Sequence, residues 1–293
     1  MVVTPPTAFD SVSPLGFGAS GTVHLLKCKT TGRHFAGKKM ACPLGQADVA
    51  RREHALLASL SHENIIRSHD VCCEADAVWM VLEYGGATIT DILLENPKML
   101  YAHRQSWCGQ ALSAVSFLHS RCVVHLDIKL DNMSVTDTGV LKLLDFGSAH
   151  VFSSEDDMTT PLEMLRGTAG YLCPEALARR PYDGRSADSW SLGITLFGML
   201  LNYFPFTLAH PKDKIYKWFA VSQQHGSLST VDAIVSFYGQ RLTDTCPRGW
   251  IAALERLLTV DPSKRMSVTT LAGLCTRSAR KQLASEACTC EAA

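Results

Sequence analysis

The 293-residue chain lacks an excess of charge of either sign, because 28 Lys and Arg residues balance 28 Asp and Glu residues. Without a basic field, we expect no binding to nucleic acid or to an anionic membrane through bulk electrostatics. A long uninterrupted apolar run is also missing, since the most apolar stretch, Leu192 to Phe206, contains Gly193, Gly198, Asn202 and Pro205. Such a stretch is short for a bilayer and predicts a buried helix instead.

Residues 1–7, reading MVVTPPT, lack the charged start and apolar core of a signal peptide, and position 2 is not the Gly that myristoylation requires. The eleven cysteines are an odd number, and several lie inside apolar segments, as Cys28, Cys108 and Cys122 do. This usage predicts reduced, packed thiols in a cytoplasmic protein. We expect the small, polar residues 277–293 to form a disordered tail.

The densest group of chemically useful side chains lies in the stretch Val123 to Asn132, which reads VVHLDIKLDN. Asp127 is followed by Lys129 and then by Asn132, just behind a short apolar run. This spacing suits a loop that takes a proton from a hydroxyl group, neutralises a phosphate and helps to hold a metal ion.

A glycine-rich segment lies near the N-terminus, where Leu15 to Val23 has the pattern G-x-G-x-x-G-x-V with Gly16, Gly18 and Gly21. The β-rich residues after it predict a hairpin whose backbone N–H groups can approach phosphate oxygens. A dinucleotide-binding fold would require a helix directly after the glycines, and the β-branched residues here argue against one. A plain structural turn remains the alternative.

The next helical pattern carries one carboxylate in an apolar stripe. Val49, Leu56, Leu57 and Leu60 fall at helical spacing with Glu53 among them. A charge that faces a core is costly unless it is paired. Lys38, on the preceding predicted strand, is the natural partner, and the alternative is that Glu53 lies at the edge of the stripe and faces water.

Three further segments complete the pattern. The predicted strand Val78 to Leu82 ends at Glu83 to Gly86, where a hinge could offer backbone hydrogen bonds to a flat heterocycle. A short strand delivers Asp145 with Phe146 and Gly147, and the polar residues Ser148 to Met164 predict a mobile loop. The last third is helical, with a strongly apolar helix from Asp188 that we expect Pro205 and Phe206 to end.

Taken in order, these motifs resemble the eukaryotic protein kinase family across residues 9–274. The resemblance implies an α+β, bilobal fold with a small β-rich N-lobe over residues 1–84 and a mainly helical C-lobe over residues 85–276. It also implies ATP and Mg²⁺ as cofactors and a protein as substrate. Lys129 and the pair Gly167-Thr168 resemble the serine/threonine branch. We expect a monomer.

The resemblance also implies a role for each matching residue. Lys38, held by Glu53, would bind the α- and β-phosphates, Asp127 would accept the hydroxyl proton and Lys129 would neutralise the γ-phosphate. Metal ions would be held by Asn132 and Asp145. Two structural contacts would be an ion pair of Glu175 with Arg265 and a brace from Asp188 to the stretch Val123 to Asn132, which corresponds to the family's catalytic loop. The remaining nucleotide-binding residues would be Leu15, Gly16, Gly18, Gly21, Val23, Ala36, Leu82, Glu83 and Gly85.

Departures from the family pattern carry their own expectations. Leu126 stands where the family usually has an Arg that meets a phosphate on the activation loop, so activity is predicted not to depend on a phosphate within Ser148 to Met164. Ser68 occupies a usually apolar position beside the helix that carries Glu53 and is expected to loosen its packing. The loop and hinge locally resemble the Mos kinases, which act upstream of MAP kinase cascades, whereas the later helices resemble the calmodulin-dependent and AMP-activated branch.

Two other functions compete with catalysis. A pseudokinase scaffold would bind nucleotide or partners without phosphotransfer, but such proteins usually lack at least one of the family's key residues. Here the whole set is present, namely Lys38, Glu53, Asp127, Asn132, Asp145 and the three glycines Gly16, Gly18 and Gly21. A small-molecule kinase is disfavoured because the segment from Gly167 to Glu175 resembles a peptide-docking platform.

Overall fold

The structure is a computed structural model that describes residues 6–18, 21–41, 46–74, 77–224, 230–238 and 246–275. It divides into two compact units, the first made of Met1–Asp91 with Asp131–Gly147 and the second of Ile92–Leu130 with Ser148–Ala293. The predicted boundary between residues 84 and 85 stays a prediction, and the predicted tail over residues 277–293 lies outside the described residues.

The first unit is built on a five-stranded antiparallel sheet with the order β1-β2-β3-β5-β4. The glycine-rich segment forms the hairpin of the first two strands, as the sequence predicts. The strands are β1 (Phe9–Gly18), β2 (Gly21–Cys28), β3 (His34–Ala41), β4 (Ser68–Glu74) and β5 (Ala77–Glu83).

One helix, α1 (Gln46–Ser59), packs on this sheet through a small apolar cluster that joins Ala50 to Met40 and Met80. Among the side chains of the helix that the structure describes, the buried ones are Ala50, Glu53 and Leu57. Val49 is exposed, so the prediction that it shares the buried face is wrong. Glu53, Leu57 and Leu60 are buried as predicted, so the buried face differs from the predicted stripe mainly in that Ala50 is buried in place of Val49.

A second, three-stranded sheet completes the first unit, with β6 (Ala87–Thr88), β8 (Met133–Val135) and β9 (Leu141–Leu143) in the order β6-β8-β9. Asn64 ties it to the chain before β4. The Asn64 side-chain amide donates to the Leu141 carbonyl at 3.0 Å, and the Leu143 amide donates to the Asn64 carbonyl at 2.9 Å.

The second unit is mainly helical, which confirms the α+β class. Its longest helix, α3 (Pro97–Ser120), runs beside the almost wholly buried helix α5 (Gly184–Leu201). Trp190 of α5 stacks on Phe206, with 6.0 Å between the ring centres. The helices, with α2 at the junction, are α2 (Ile89–Glu95), α3 (Pro97–Ser120), α4 (Pro174–Leu177), α5 (Gly184–Leu201), α6 (Lys214–Gln224), α7 (Thr230–Phe237) and α8 (Arg248–Leu257), followed by a helical stretch at 268–275.

The apolar helix α5 differs from its prediction at both ends. It begins at Gly184, capped by the Asp183 side chain, which accepts from the Ser186 amide at 2.8 Å. It ends at Leu201 because Asn202 adopts a left-handed conformation with φ 68°. A left-handed residue ends a helix by itself, and Asn tolerates that conformation, so Pro205 is not needed as the stop.

The segment Ser148 to Met164, which is predicted to be a mobile loop, contains short elements of regular structure, and its mobility stays a prediction. Strand β10 (His150–Val151) pairs with β7 (Val123–Val124), and a short 3₁₀ helix spans Asp157–Thr159. Phe152 and Met158 are buried, so two apolar side chains hold this polar stretch against the second unit.

Two general expectations can be compared with the described residues. The eight cysteines among them all carry free thiols. Across the same part of the chain, every helix is too short or too polar to cross a lipid bilayer.

Candidate active site

The strand register of the first unit gathers four of the predicted nucleotide-binding residues. Val23 lies opposite Lys38, and Ala36 lies opposite Leu82. Side chains alternate along a strand and directly paired residues share a face, so all four side chains lie on one face of the sheet. Val23 and Leu82 are half-buried there, and Ala36 and Lys38 are buried.

Lys38 makes the predicted ion pair with Glu53. Its Nζ lies 3.2 Å from Glu53 Oε2 and also 2.8 Å from Asp145 Oδ1. The other Glu53 oxygen accepts the Phe146 backbone amide at 3.1 Å. Because only 6% of the Lys38 side chain and 4% of the Glu53 side chain are exposed, the carboxylate on α1 is a buried partner and not an edge residue facing water.

The electrostatics of this group keep the lysine charged. Burial acts to lower the pKa of Lys38, but the carboxylates of Glu53 and Asp145 outweigh it and raise the pKa above the ordinary value. Burial raises the pKa of Glu53, and the Lys38 ammonium opposes that effect. A charged ammonium in a largely dry position attracts an anionic group more strongly than the same charge in water does.

The glycine-rich hairpin offers backbone rather than side chains. Gly16 and Gly18 lie in β1, and Gly18 pairs with Gly21 at the start of β2. Gly21 has φ +139°, and a Cβ atom there would collide with the Lys39 carbonyl oxygen. Leu15 is exposed. Residues 19 and 20, at the tip, lie outside the described residues.

At the predicted hinge, the Glu83 carboxylate pairs with Lys142 at 3.0 Å. Gly85 is buried against β8, where a Cβ atom on it would meet the hydroxyl of Ser134. The backbone at this point is therefore fixed by its neighbours. Its role in binding a heterocycle stays a prediction.

The two predicted metal ligands lie at one end of the β8–β9 hairpin. Met133 pairs with Leu143, and the Leu144 amide donates to the Asn132 carbonyl at 2.8 Å. Asn132 directly precedes this pair of strands, and Asp145 follows it with 37% of its side chain exposed. An amide oxygen and a carboxylate suit Mg²⁺, which takes one or two carboxylates together with phosphate oxygens.

A metal cage made by the protein alone is not found in the part of the chain that the structure describes, since no three His, Cys, Asp or Glu residues gather there. The donor set of Asn132 and Asp145, an amide oxygen and a carboxylate, fits an ion that also takes phosphate oxygens as ligands.

In the second unit, Asp127 is held by two side chains. Lys129 Nζ lies 2.9 Å from Asp127 Oδ2, and the Thr168 hydroxyl donates to Asp127 Oδ1 at 2.8 Å. Lys129 also donates to the Thr168 oxygen at 2.7 Å. Sequence reasoning used Thr168 to assign a branch but missed this contact, because it joins residues 41 positions apart.

Asp188 braces the catalytic loop, as predicted. Its carboxylate accepts the backbone amides of His125 and Leu126, each at 2.8 Å, and lies 3.0 Å from His119 Nε2. Asp188 is fully buried, and Leu126 has φ 63°. Hydrogen bonds to a buried charge are among the stronger ones in proteins, so they can hold the strained turn that precedes Asp127.

The predicted structural ion pair is also present. The Arg265 guanidinium forms two hydrogen bonds to the Glu175 carboxylate, at 2.6 and 3.1 Å. Its side chain is fully buried, and it also donates to the carbonyl of Thr259 at 2.8 Å. The pair joins the start of α4 to the loop after α8.

One cation that sequence reasoning missed lies next to Gly167. Arg166 donates from one nitrogen to the carbonyls of Ser148 and Ala149, at 3.1 and 3.3 Å. These contacts tie the end of the segment Ser148 to Met164 to its beginning. Carbonyl acceptors are present in every residue, so no side-chain pattern in the sequence could have indicated them.

Comparison with known proteins agrees with this geometry. The family model described as "Protein kinase domain" matches residues 9–274. A probable serine/threonine-protein kinase, RTK1 of Saccharomyces cerevisiae, is 31% identical over 265 residues, which cover 86% of this chain and 42% of that protein. Serine/threonine-protein kinase oca2 of Schizosaccharomyces pombe is 32% identical over 239 residues, covering 78% of this chain and 36% of that protein.

A plant relative gives the same result: CBL-interacting protein kinase 1 of Oryza sativa subsp. japonica is 34% identical over 199 residues, covering 66% of this chain and 42% of that protein. The chain spans less than half the length of each of these curated relatives. The family match covers most of the chain, and the chain belongs to the eukaryotic protein kinase family, in its serine/threonine branch.

Proposed function

We propose that this chain transfers the γ-phosphoryl group of ATP to Ser or Thr hydroxyls of proteins. The observation that carries the proposal is the Asp127 carboxylate, held by Lys129 at 2.9 Å and by Thr168 at 2.8 Å. A scaffold that binds only nucleotide or partners has no use for a carboxylate in a fixed orientation, whereas proton transfer from a hydroxyl depends on one.

Each residue has a stated part in this chemistry. Asp127 orients the substrate hydroxyl and accepts its proton, and Lys129 neutralises charge on the γ-phosphate. Lys38, kept cationic and fixed by Glu53, binds the α- and β-phosphates. Asn132 and Asp145 would hold Mg²⁺, which when bound neutralises charge that develops on the phosphate oxygens.

The test is phosphorylation of a degenerate Ser/Thr peptide library with radiolabelled ATP, beside Asp127→Asn. The variant keeps the size of the side chain and loses the base, so we expect a fall in kcat of about 100-fold or more. Nucleotide binding by both proteins, measured by calorimetry, is the control for folding. Incorporation no higher than that of the variant, with nucleotide still bound, would favour the scaffold.

We further propose that this activity does not depend on a phosphate in the segment Ser148 to Met164. Leu126 offers no guanidinium to a phosphate, and the segment is held by other contacts. Asp157 accepts the Ser153 hydroxyl at 2.9 Å and the Thr160 hydroxyl at 3.2 Å, and Arg166 ties the two ends together. A phosphate on Ser153 would lie beside the Asp157 carboxylate and be repelled.

Two preparations test this independence. One is the parent protein after phosphatase treatment, with complete dephosphorylation checked by mass spectrometry, and the other carries Ala at Ser153, Ser154, Thr159 and Thr160. We expect the first to keep its turnover. The second also loses the hydrogen bonds to Asp157, so a moderate fall there is structural, but a collapse of both to background would overturn the proposal.

A signalling role upstream of MAP kinases, in the cytoplasm and as a monomer, is also proposed. The short likeness of the catalytic loop and hinge to the Mos kinases supports the signalling role. The free thiols of the described cysteines support the location in the cytoplasm. Purified MAP kinase kinase, offered beside casein, is the discriminating substrate. If the MAP kinase kinase is phosphorylated no better than casein, the proposed pathway is contradicted, but the proposed phosphotransfer activity is not.

A further inference from the structure

Helix α1 is attached to the sheet by a second polar contact next to the Lys38–Glu53 pair. His54, the residue after Glu53, places its Nδ1 2.7 Å from the hydroxyl of Ser68 in β4. Both side chains are half-buried. Consecutive residues of one helix therefore reach two different strands, Glu53 to β3 and His54 to β4.

The register of β4 explains why the Ser68 hydroxyl is available to the helix. Ser68 lies opposite Leu82, and Asp70 lies opposite Val81, so the pairing skips His69 in a β-bulge. A bulge changes the direction of the side chains beside it. Because Ser68 pairs with Leu82, and Leu82 pairs with Ala36, Ser68 lies on the face of the sheet that carries Lys38.

The apolar part of this attachment is small. Ala50 and Leu57 are the apolar residues among the buried positions of α1 within its described side chains, and the third buried position is Glu53 itself. Because few apolar side chains of the helix are buried, the polar contacts of Glu53 and His54 contribute a large share of the free energy that holds the helix on the sheet.

In contrast to the expectation that Ser68 loosens the packing of α1, we propose that Ser68 and His54 are positioning residues for the phosphate-binding lysine. Their hydrogen bond fixes the position of α1 and thereby keeps Glu53 within reach of Lys38. The inference rests on the proposed function for the importance of Lys38. The contact survives either charge state of the imidazole, because Ser68 can donate to a neutral Nδ1 or accept from a protonated one.

The experiment compares single and paired substitutions. Ser68→Ala removes the hydroxyl, and Ser68→Thr keeps it. His54→Leu and Ser68→Leu are made singly and together, and the double variant replaces the polar contact by an apolar one. Hydrogen exchange of the α1 amides reports on the helix, and calorimetric titration with ADP reports on the phosphate site. Arg52→Ala, an exposed change on the same helix, is the matched control.

We expect Ser68→Ala to raise exchange in α1 and to weaken ADP binding by about three- to tenfold, with peptide kcat changing less than KM for ATP. Ser68→Thr should match the parent, and the double Leu variant should recover at least half of the loss seen in His54→Leu alone. Arg52→Ala should change neither measurement.

Exchange in α1 for Ser68→Ala that equals that for Arg52→Ala would overturn the inference. So would strictly additive losses in the double Leu variant, or increased exchange spread evenly over both units. If the parent protein binds no nucleotide, the proposed function fails, but the exchange measurement still decides whether Ser68 and His54 fix the helix.

Discussion

The carboxylate of Asp188 accepts the backbone amide of Leu126 at 2.8 Å, directly before Asp127. Leu126 is in the left-handed region, which a bulky side chain occupies only when its surroundings hold it there. One buried acid therefore determines the direction in which the chain enters the catalytic loop.

Removing that acid should damage both stability and turnover. Asp188→Ala leaves two backbone amides without an acceptor, and we expect the free energy of unfolding to fall by about 3–5 kcal/mol in urea titrations. Asp188→Asn keeps one acceptor and should lose less stability while kcat falls. If the Ala variant and the parent are equally stable, Asp188 does not stabilise the loop through these two hydrogen bonds.

Thr168 should act through Asp127. Thr168→Ala removes a hydrogen bond that orients the carboxylate, and we expect a fall in kcat of about tenfold with little change in KM for ATP. Thr168→Ser keeps the hydroxyl and should retain most of the activity in steady-state assays. A Ser variant as poor as the Ala variant would mean that the methyl group, and not the hydrogen bond, matters.

The Glu175–Arg265 pair should contribute much more than a surface ion pair. Arg265→Ala leaves the Glu175 carboxylate without its cation, and we expect a loss of about 3–5 kcal/mol in the free energy of unfolding. Lys264→Ala is a matched neighbour, because Lys264 pairs with Asp261 at 3.5 Å on the surface with 77% of its side chain exposed. Lys264→Ala should lower the free energy of unfolding by no more than about 0.5 kcal/mol.

Two glycines of the glycine-rich hairpin should respond differently to substitution by alanine. Gly21→Ala places a Cβ against the Lys39 carbonyl at a positive φ, so we expect a loss of about 1–3 kcal/mol. At Gly16 a Cβ would meet nothing within 4 Å, and Gly16→Ala should be within about 0.5 kcal/mol of the parent. Thermal unfolding of the two variants, side by side, measures the difference.

Asp213 gives the protein a pH-dependent contribution to stability. Burial acts to raise the pKa of Asp213, but the backbone amides that it caps, including Tyr216 at 3.0 Å, outweigh this and lower the pKa below its ordinary value of 3.8. A lowered pKa in the folded state means stability that is present above 3.8 and is lost as the pH falls through the folded value.

Asp213→Asn should therefore flatten the dependence of the unfolding free energy on pH below about 4, measured with urea at closely spaced pH values. At neutral pH, Asp213→Ala should cost about 1 kcal/mol, as for other lost helix caps. A parent and an Asn variant with the same acid slope would show that Asp213 binds its proton equally in both states.

Charges in apolar surroundings were the most informative feature of the sequence. A carboxylate among the apolar residues of a helix left two interpretations of Glu53, a pair with Lys38 or a position facing water, and the family resemblance favoured the pair that the structure contains. The family resemblance extended this to Asp188 with the catalytic loop and to Glu175 with Arg265.

What could not be predicted depends on contacts that no local pattern carries. On α1, Ala50 is buried in place of Val49, although the predicted stripe contained Val49. The pairing of β10, within the segment Ser148 to Met164, with β7 depends on residues that are distant in the sequence. Arg166 bonds to carbonyl groups, which have no sequence signature.

The chain returns to its first unit after leaving it, because Asp131–Gly147 belongs with Met1–Asp91. During synthesis on the ribosome, Asn64 would emerge long before Leu141, 77 residues later, which accepts its hydrogen bond. A fragment that stops at residue 91 would lack β8 and β9, and with them Asn132 and Asp145. The two predicted metal ligands therefore lie in the part of this unit that is translated last, and the unit cannot be completed until residues 131–147 have been made.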